Sequence, residues 1–85
     1  MYYVYILQSL KDKKLYIGFT KDIKQRLFEH NSGKNFSTKS RIPLKLIYCE
    51  IYLNQDDAKI REKFLKTGWG RKYLKKGLRN YFEKI

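Results

Sequence analysis

Two short runs of aromatic and β-branched residues stand at the start of the chain, and only a polar Lys-Asp-Lys-Lys segment separates them. The first run covers residues 2–9 and the second covers residues 15–19. Residues of these types favour a sheet, and two strands so close in sequence pair most simply as an antiparallel hairpin. The chain is therefore predicted to start with a β-hairpin whose turn lies at residues 11–14.

A helical pattern follows the hairpin. Thr20 is predicted as the N-cap, because a threonine oxygen can accept a hydrogen bond from the first free amide groups of a helix. The helix is predicted over residues 21–30, where Ile23 and Leu27 lie four apart on one buried stripe. Gly33 suits the left-handed conformation that ends many helices.

The middle of the chain combines a polar segment with a third strand. Residues 34–43 are polar and basic, which predicts a loop. Residues 44–53 alternate apolar and mixed residues, which predicts a strand. Asn54, with Asp57 three positions later, resembles a capping box and predicts a second helix that reaches about Thr67.

The end of the chain is predicted to be helical again. Gly68-Trp69-Gly70 is expected to break the second helix, and a last, basic helix is expected over residues 71–82. The predicted order is β-β-α-β-α-α, an α+β fold with a small three-stranded antiparallel sheet flanked by helices. The chain has 85 residues without a repeat or linker, so residues 1–85 are expected to form one domain.

The charge of the chain gives the first indication of function. It has 20 Lys and Arg residues against 8 Asp and Glu residues, a net charge of +12. Such a balance favours a polyanionic partner, above all a nucleic acid. A merely soluble surface and an anionic membrane surface are the alternatives, but no apolar run approaches the roughly 20 residues that span a bilayer.

The final third is the most basic part. Residues 59–85 hold ten Lys and Arg residues against two Glu residues, a net +8. Packing against the core is the favoured interpretation of the interleaved aromatic residues Tyr73, Tyr81 and Phe82. The charges instead predict a phosphate-binding face. The residues predicted to contact nucleic acid are Lys63, Lys66, Arg71, Lys72, Lys75, Lys76 and Arg79.

Cys49 is the only cysteine and His30 the only histidine. An internal disulfide therefore cannot form, and a Cys/His zinc site lacks ligands. Cys49 lies in an apolar run and is interpreted as a small buried hydrophobic residue rather than a nucleophile paired with His30. A lone thiol fits a reducing, cytoplasmic location, and the start of the chain lacks the basic region of a signal peptide.

Three polar residues on the predicted helices could carry chemistry. Chemistry alone favours a surface ion pair of Glu62 with Lys66, four positions later, over a role as metal ligand. Arg26 and His30 are also four apart and share a helix face. An arginine there suits bidentate contact with a phosphate, whereas the pattern alone favours a solvated face.

Two tyrosines of the hairpin are further candidates. Tyr5 in the first strand and Tyr16 in the second are expected to lie near one another on a common face. The alternative to a catalytic role is that both rings only pack in the core. A tyrosine acts as a general base only if its pKa falls from about 10. A nearby Arg, Lys or metal ion would lower that pKa.

The order and spacing of these residues resemble the GIY-YIG nucleases over nearly the whole chain. The resemblance is closest to small standalone members that are similar to the nuclease domain of bacterial nucleotide-excision repair. The matching motifs are Tyr3-Val4-Tyr5 and, after ten residues, Tyr16-Ile17-Gly18, then Arg26 in the next helix, Glu29-His30-Asn31-Ser32-Gly33 and Arg61-Glu62-Lys63.

The resemblance implies a metal-dependent DNA endonuclease in which Glu62 holds a single Mg²⁺ or Mn²⁺ ion. Arg26 would bind the scissile phosphate and stabilise its developing charge. His30 would assist in positioning or proton transfer. Tyr5 or Tyr16 would help to deprotonate the attacking water, and the sequence does not choose between them. The implied products carry a 5′-phosphate and a 3′-hydroxyl.

The chain departs from the family pattern at two places. Tyr3 stands where the first motif begins with Gly, and the family's late Asn has no clear counterpart, since Asn80 is the only Asn in the last helical region. The alternatives to the enzyme are a noncatalytic nucleic-acid-binding module and an accessory subunit whose recognition comes from a partner protein. Glu62 among basic residues favours the enzyme, which we expect to prefer DNA structure over sequence.

Overall fold

A computed structural model describes residues 1–84 and confirms the α+β fold. The predicted order of strands and helices is present, with one more short helix at the end. The strands are β1 (Tyr2–Ser9), β2 (Leu15–Thr20) and β3 (Leu44–Tyr52), and the helices are α1 (Ile23–Asn31), α2 (Gln55–Leu65), α3 (Gly68–Gly77) and α4 (Arg79–Glu83). None of these helices is long and apolar enough to cross a membrane.

The three strands form one antiparallel sheet in the order β2-β1-β3, so β1 is central and β2 lies at an edge. The predicted hairpin joins β1 to β2. Its turn places Lys13 in the left-handed region at φ 64, and the amide of Ser9 donates to the carbonyl of Lys14 at 3.0 Å. The hairpin therefore fixes which residues of β1 and β2 face each other.

Alternation along the strands divides the core between the two faces of the sheet. On one face, here called the α2 face, Val4, Ile6 and Ile17 pack with Ala58 and Leu65 of α2 and with Leu74 of α3. On the other face, here called the α1 face, Tyr5, Leu7 and Leu44 pack with the half-buried Ile23 and Leu27 of α1. The predicted stripe of α1 thus covers the face that carries Tyr5.

The first helix begins later than predicted, and the assignment of Thr20 as its N-cap was wrong. Thr20 remains in β2, paired with Tyr3, and its hydroxyl accepts from the amide of Asp22 at 3.1 Å. Asp22 is the N-cap, because its backbone is extended and its side chain accepts from the amide of Gln25 at 3.0 Å. Gly33 follows the helix at φ 79, as the C-terminal prediction required.

The prediction that Gly68-Trp69-Gly70 breaks the second helix placed the break too late in the chain. Thr67 caps α3 by accepting from the amide of Gly70 at 3.1 Å, so all three residues lie in the first turn of α3. A Cβ on Gly70 would collide with the backbone of Phe64 and Leu65. This glycine therefore permits close packing of α3 on α2, while the break between the helices lies at residues 66–67.

The last helix, predicted over residues 71–82, is two helices. Leu78 leaves helical geometry with φ −110 and ψ 22, and it separates α3 from the short α4. Asn54 caps α2 as predicted, because its side chain accepts from the amides of Asp56 and Asp57.

Hydrogen bonds hold the loop of residues 34–43 near both of its ends. The side-chain amide of Asn31 donates to the carbonyl of Leu44 at 2.9 Å, and its oxygen accepts from the amide of Leu44 at 2.7 Å. The Ser9 hydroxyl donates to the carbonyl of Arg41 at 2.6 Å. These contacts turn the loop over the end of α1 and hold Thr38, inside it, in a fully buried position.

An ion pair that the sequence did not indicate joins β3 to α2. Glu50 accepts from Nε and a terminal nitrogen of Arg61 at 2.9 and 3.1 Å, and from the hydroxyls of Tyr48 and Tyr52 at 2.7 and 2.8 Å. Burial pushes the pKa of Glu50 upward, but these donors outweigh burial and hold the pKa below its ordinary value. The pair fixes the helix that carries Glu62, the residue next to Arg61.

Candidate active site

Tyr5 and Tyr16 meet on the α1 face of the sheet. In the β1–β2 register Tyr5 lies opposite Gly18 and Leu7 lies opposite Tyr16, so the two tyrosines are diagonal neighbours. Their ring centroids are 6.3 Å apart. The Tyr5 side chain is fully buried, whereas Tyr16 is only half-buried.

Gly18 provides the space for the Tyr5 ring. A Cβ at this position would overlap both the Cζ and the hydroxyl oxygen of Tyr5. The sequence suggested that a small residue here lets backbone or substrate approach beside Tyr16. In the structure the side chain that makes this close approach is Tyr5, so Gly18 sets the position of its hydroxyl.

His30 lies in the interior, where it links Tyr5 to the loop. Its Nε2 is 3.0 Å from the Tyr5 hydroxyl and its Nδ1 is 2.7 Å from Oγ1 of Thr38. The His30 ring also lies edge-on to Tyr16, with centroids 4.9 Å apart. The helical pattern alone favoured a solvated position for His30, and that interpretation was wrong because the loop of residues 34–43 covers it.

The direction of the hydrogen bond between Tyr5 and His30 decides which nitrogen of His30 carries the imidazole proton. If the Tyr5 hydroxyl donates to Nε2, the imidazole proton sits on Nδ1 and is donated to Thr38. Burial, together with the charge of Arg26, lowers the pKa of His30 below its ordinary value of 6.5, while Glu29 acts in the opposite direction. His30 is therefore neutral at pH 7 and can accept a proton at Nε2.

Burial and neighbouring side chains change the pKa of the Tyr5 hydroxyl. Burial raises the pKa of Tyr5 to about 12; Tyr16 and Glu62 add to the rise, and Arg26 opposes it. These side chains come from β1, β2, α1 and α2. Of the sequence-predicted residues, His30 and Tyr16 thus lie directly against the Tyr5 side chain, whereas Arg26 and Glu62 are linked to its hydroxyl only through the effect of their charges on its pKa.

Arg26 occupies the solvent side of this cluster. A terminal nitrogen of its guanidinium is 3.4 Å from the carbonyl of Phe19, and its Nε is 3.3 Å from Glu29. The side chain is 37% exposed, and it borders a cavity of about 350 Å³ that Thr20 and Gln25 also line. A cation held at the mouth of a cavity can reach an incoming phosphate, because the exposed pair with Glu29 is weak.

Glu62 is the one acidic candidate for a metal ligand. Its carboxylate accepts from Nζ of Lys66 at 2.9 Å, the ion pair that the i,i+4 spacing predicts, and its side chain is 21% exposed. Within residues 1–84 no group of three or more His, Cys, Asp and Glu side chains is arranged to hold a metal ion. Glu62 suits Mg²⁺ as a single carboxylate, because Mg²⁺ keeps several waters and takes other ligands from substrate phosphates.

Thr38 is the residue of the site that the sequence did not reveal. It lies in a polar, basic segment that has no periodicity, so nothing in the pattern marks it. Its role follows only from the folded loop, which buries it completely and places its hydroxyl against His30. The side chain of Cys49 is half-buried, and burial raises the pKa of its thiol, so Cys49 has no sign of activation as a nucleophile.

The basic residues predicted to contact nucleic acid are all exposed. Lys63 lies in the last turn of α2 and Lys66 is the C-cap that follows it, and the others lie on α3 and α4. Asn80 is also exposed, on α4. The members of the set are Lys63, Lys66, Arg71, Lys72, Lys75, Lys76 and Arg79.

Comparison with known proteins places the chain among small bacterial proteins. The model of the GIY-YIG catalytic domain matches residues 1–77. A UPF0213 protein of Staphylococcus saprophyticus is 40% identical over 75 residues, which are 87% of this chain and 90% of the relative. A UPF0213 protein of Streptococcus pneumoniae is 42% identical over 65 residues, 75% of this chain and 65% of the relative.

A solved structure is similar as well. The solution NMR structure of the UPF0213 protein from Bacillus halodurans has a TM-score of 0.53 and 32% sequence identity. The similarity covers 87% of this chain and 82% of that one.

Proposed function

Because the chain belongs to the GIY-YIG catalytic-domain family, we propose that it is a metal-dependent endonuclease that hydrolyses DNA phosphodiester bonds. The observation that carries the proposal is the convergence on the Tyr5 hydroxyl. A buried base partner, His30, contacts it at 3.0 Å, and both Arg26 and Glu62 act on its pKa.

Tyr5, rather than Tyr16, is the proposed proton acceptor. Because its side chain is fully buried in the free protein, the attacking water has to gain access to its hydroxyl when DNA binds. A pKa of about 12 leaves the Tyr5 phenol protonated at pH 7, so a free phenolate is not the base. Instead, the Tyr5 oxygen takes a proton from the attacking water while its own proton moves to Nε2 of His30. Neutral His30 can receive that proton, and Thr38 keeps accepting from Nδ1–H of the resulting imidazolium.

As the water loses its proton, it attacks the phosphorus atom. The water oxygen forms a bond to phosphorus, and the bond from phosphorus to the 3′ oxygen breaks. The leaving oxygen takes a proton from solvent, which gives a 5′-phosphate and a 3′-hydroxyl. Arg26 binds the scissile phosphate and stabilises the charge that develops on its oxygens.

Glu62 would hold the divalent ion, Mg²⁺ or Mn²⁺. When bound, such an ion polarises the phosphate and stabilises charge on the leaving oxygen. Lys66 has to release Glu62 for this role, and the cost is small because an exposed i,i+4 pair is worth only about 0.3–0.5 kcal/mol. Lys66 can then contact a neighbouring phosphate.

The exposed cations of α2, α3 and α4 are proposed to bind the DNA backbone. Their contacts would carry no sequence information, so a preference for branched or nicked DNA is the expected specificity. A partner protein could supply further recognition. We also propose a reducing, cytoplasmic location, where a thiol such as Cys49 remains unpaired.

One observation favours a second candidate, a noncatalytic nucleic-acid-binding module. In this structure Glu62 is paired with Lys66 at 2.9 Å, as in an ordinary surface ion pair. A module or accessory subunit with the same basic surface would bind DNA without needing Glu62 or the hydrogen bond between Tyr5 and His30.

The two candidates are separated by incubating the purified protein with supercoiled plasmid and with branched DNA, with and without Mg²⁺ or Mn²⁺. The enzyme predicts metal-dependent cleavage that Arg26→Ala abolishes. Binding of the same DNA without cleavage by the wild-type protein at any metal concentration would favour the module. Equal cleavage by wild type and Arg26→Ala would indicate a contaminating nuclease.

A further inference from the structure

A basic cleft lies on the opposite face of the sheet from the tyrosines. It has a volume of about 840 Å³ and is lined by residues of the hairpin, the loop, α3 and α4. Gln8 and Leu15 form part of its wall. Leu15 packs with the α2 face, whereas the next residue, Tyr16, packs with the α1 face. The cleft is therefore a separate site from the one around Tyr5.

Six cations from three segments of the chain surround this cleft. Arg71 and Lys75 are four apart on one side of α3, and Arg79 begins α4 after the break at Leu78. The cations that line the cleft are Lys13, Lys14, Arg41, Arg71, Lys75 and Arg79. Among residues 1–84 only Arg41 of these has an acidic partner, Asp12, at 3.3 Å. Glu83 is the one acidic residue in the lining.

The inner part of the cleft is apolar and firmly held. Leu15 and the half-buried Phe82 provide the apolar surface. The side chain of Gln8 accepts from the Tyr81 hydroxyl at 2.6 Å and donates to the carbonyl of Lys13 at 3.1 Å. These bonds tie α4 to the hairpin turn, so Phe82 and the cations of the two segments keep a fixed relation.

The combination of an aromatic floor and unpaired cations at the rim suits a nucleotide. Clefts of roughly 300–1,000 Å³ take ligands of this size. A base can stack on an aromatic ring, while Lys and Arg contact the flanking phosphates. The bases of a duplex are paired and stacked, so placing one of them in such a cleft costs free energy of unpairing and unstacking that an unpaired strand avoids.

The position of the cleft favours an unpaired strand continuous with the substrate. Arg26 contacts the carbonyl of Phe19, near one end of β2, and the cleft contains Leu15, at the other end. At about 3.3 Å per residue these ends are roughly 13 Å apart. Because β2 is an edge strand, a flexible single strand can pass over it from one face of the sheet to the other.

We propose that this cleft binds an unpaired DNA strand adjoining the cleavage site, with a base on Phe82 and phosphates on Arg71, Lys75 and Arg79. The choice of DNA rests on the proposed function. The cleft explains why branched or flapped DNA, which offers unpaired strands, would be preferred. It also divides the exposed cations of α3 into two groups, because Lys72 and Lys76 do not line the cleft.

The test measures binding of a labelled ten-nucleotide oligo-dT by fluorescence anisotropy, in EDTA so that no cleavage occurs. The double variant Arg71→Ala/Lys75→Ala is compared with Lys72→Ala/Lys76→Ala, which removes the same charge from the same helix. We expect the first variant to raise the Kd for oligo-dT at least tenfold. The second should raise it less than threefold, because Lys72 and Lys76 lie outside the cleft and their proposed phosphate contacts are with the duplex part of the substrate, which oligo-dT lacks. The first should also reduce the slope of log K against log salt by about 1.4, at about 0.7 per phosphate contact.

Stacking of a base on Phe82 is tested by the variant Phe82→Leu, which keeps an apolar side chain but removes the aromatic face. The matched control is Phe36→Leu, because Phe36 is 83% exposed and lies outside the cleft. Stacking of a base predicts a loss of at least about fivefold for Phe82→Leu only. Circular dichroism and thermal melting of each variant establish that it is folded.

Equal weakening by the two double variants would overturn the proposal in favour of diffuse charge. The same would follow if a hairpin duplex, or an acidic peptide of equal charge, bound as tightly as oligo-dT and lost as much affinity in Arg71→Ala/Lys75→Ala. Failure of the proposed function looks different. In that case wild type cleaves no DNA with metal, whatever the anisotropy results in EDTA.

Discussion

Nε2 of His30 lies 3.0 Å from the hydroxyl of Tyr5, in a region where neither side chain is exposed to solvent. In the proposed mechanism, this contact lets the Tyr5 phenol, whose pKa burial raises to about 12, pass its proton to His30. The proposed mechanism therefore gives the proton-transfer step to Tyr5 rather than to Tyr16.

The two tyrosines are therefore expected to respond differently to loss of their hydroxyls. Tyr5→Phe should lower the single-turnover cleavage rate by at least about 100-fold, since a positioned proton acceptor contributes about 10²–10⁴-fold. Tyr16→Phe, the matched control, should lower it less than tenfold. DNA affinity, measured in EDTA, should be the same in both. A larger loss for Tyr16→Phe would transfer the role of base to that residue.

Thr38 is expected to act through His30 as a positioning residue. Thr38→Val keeps the shape of the side chain but removes the acceptor for Nδ1–H of His30, which costs about 1–3 kcal/mol of stability. It also destabilises the imidazolium, so the acid limb of the pH–rate profile should move to lower pH and the plateau should fall.

Thr38→Ser provides the control, because it keeps the hydroxyl. Its pH–rate profile should match that of the wild-type protein. If both variants lose stability while their profiles remain unchanged, the contact between Thr38 and His30 is only structural.

Gly18 is expected to tolerate no side chain. Gly18→Ala forces the buried Tyr5 ring away from its position, and such overpacking costs about 1–3 kcal/mol in the free energy of unfolding. Cleavage should fall with it, because the hydroxyl moves relative to His30. Gly77→Ala, at a helical position with open space around the added Cβ, should leave cleavage unchanged and raise the free energy of unfolding by up to about 1 kcal/mol. Denaturant unfolding and a cleavage assay measure both, and an unaffected Gly18→Ala protein would refute the packing described for Tyr5.

The ion pair of Glu50 with Arg61 is expected to make stability depend on acid pH. The pKa of Glu50 is lower in the folded protein than its ordinary 4.5, so its contribution is present above pH 4.5 and is lost as the pH falls through the folded value. Glu50→Gln should cost about 2–3 kcal/mol at pH 7, because a charged hydrogen bond contributes about 1.5–3 kcal/mol.

The measurement is urea unfolding of both proteins between pH 7 and pH 3. The difference between their free energies of unfolding should shrink towards the acid end. The pKa of Asp12 is also lowered, by a backbone hydrogen bond from Lys14 and by Arg41. Asp12 titrates in both proteins, so its contribution to the difference between their free energies of unfolding cancels. A constant difference over this range would show that Glu50 is not held ionised by its partners.

Local pattern was sufficient for most of the fold. The bounds of β1 were predicted as observed, because the hairpin is specified by adjacent residues and by its turn. The start of α3 was not, since Gly68 and Gly70 were interpreted by their conformational freedom. Contact with Phe64 and Leu65, on another helix, is what requires Gly70, and sequence pattern does not contain such contacts.

The site was predictable only in part for the same reason. The proximity of Tyr5 and Tyr16 follows from strand register, which spacing indicates. The burial of His30 depends on the aperiodic loop that carries Thr38. Glu50 was missed because its partner is on another element, and neither position has a distinctive neighbour in sequence.

The most direct test of the nuclease assignment is single-turnover cleavage of 5′-labelled flapped DNA by wild type and Glu62→Gln, at the same fraction of DNA bound, over a titration of Mn²⁺. Cleavage by wild type should require the ion and give 3′-hydroxyl ends, and Glu62→Gln should cleave at least about 100-fold more slowly at every concentration. Equal rates for the two proteins, or cleavage that persists in EDTA, would contradict the assignment.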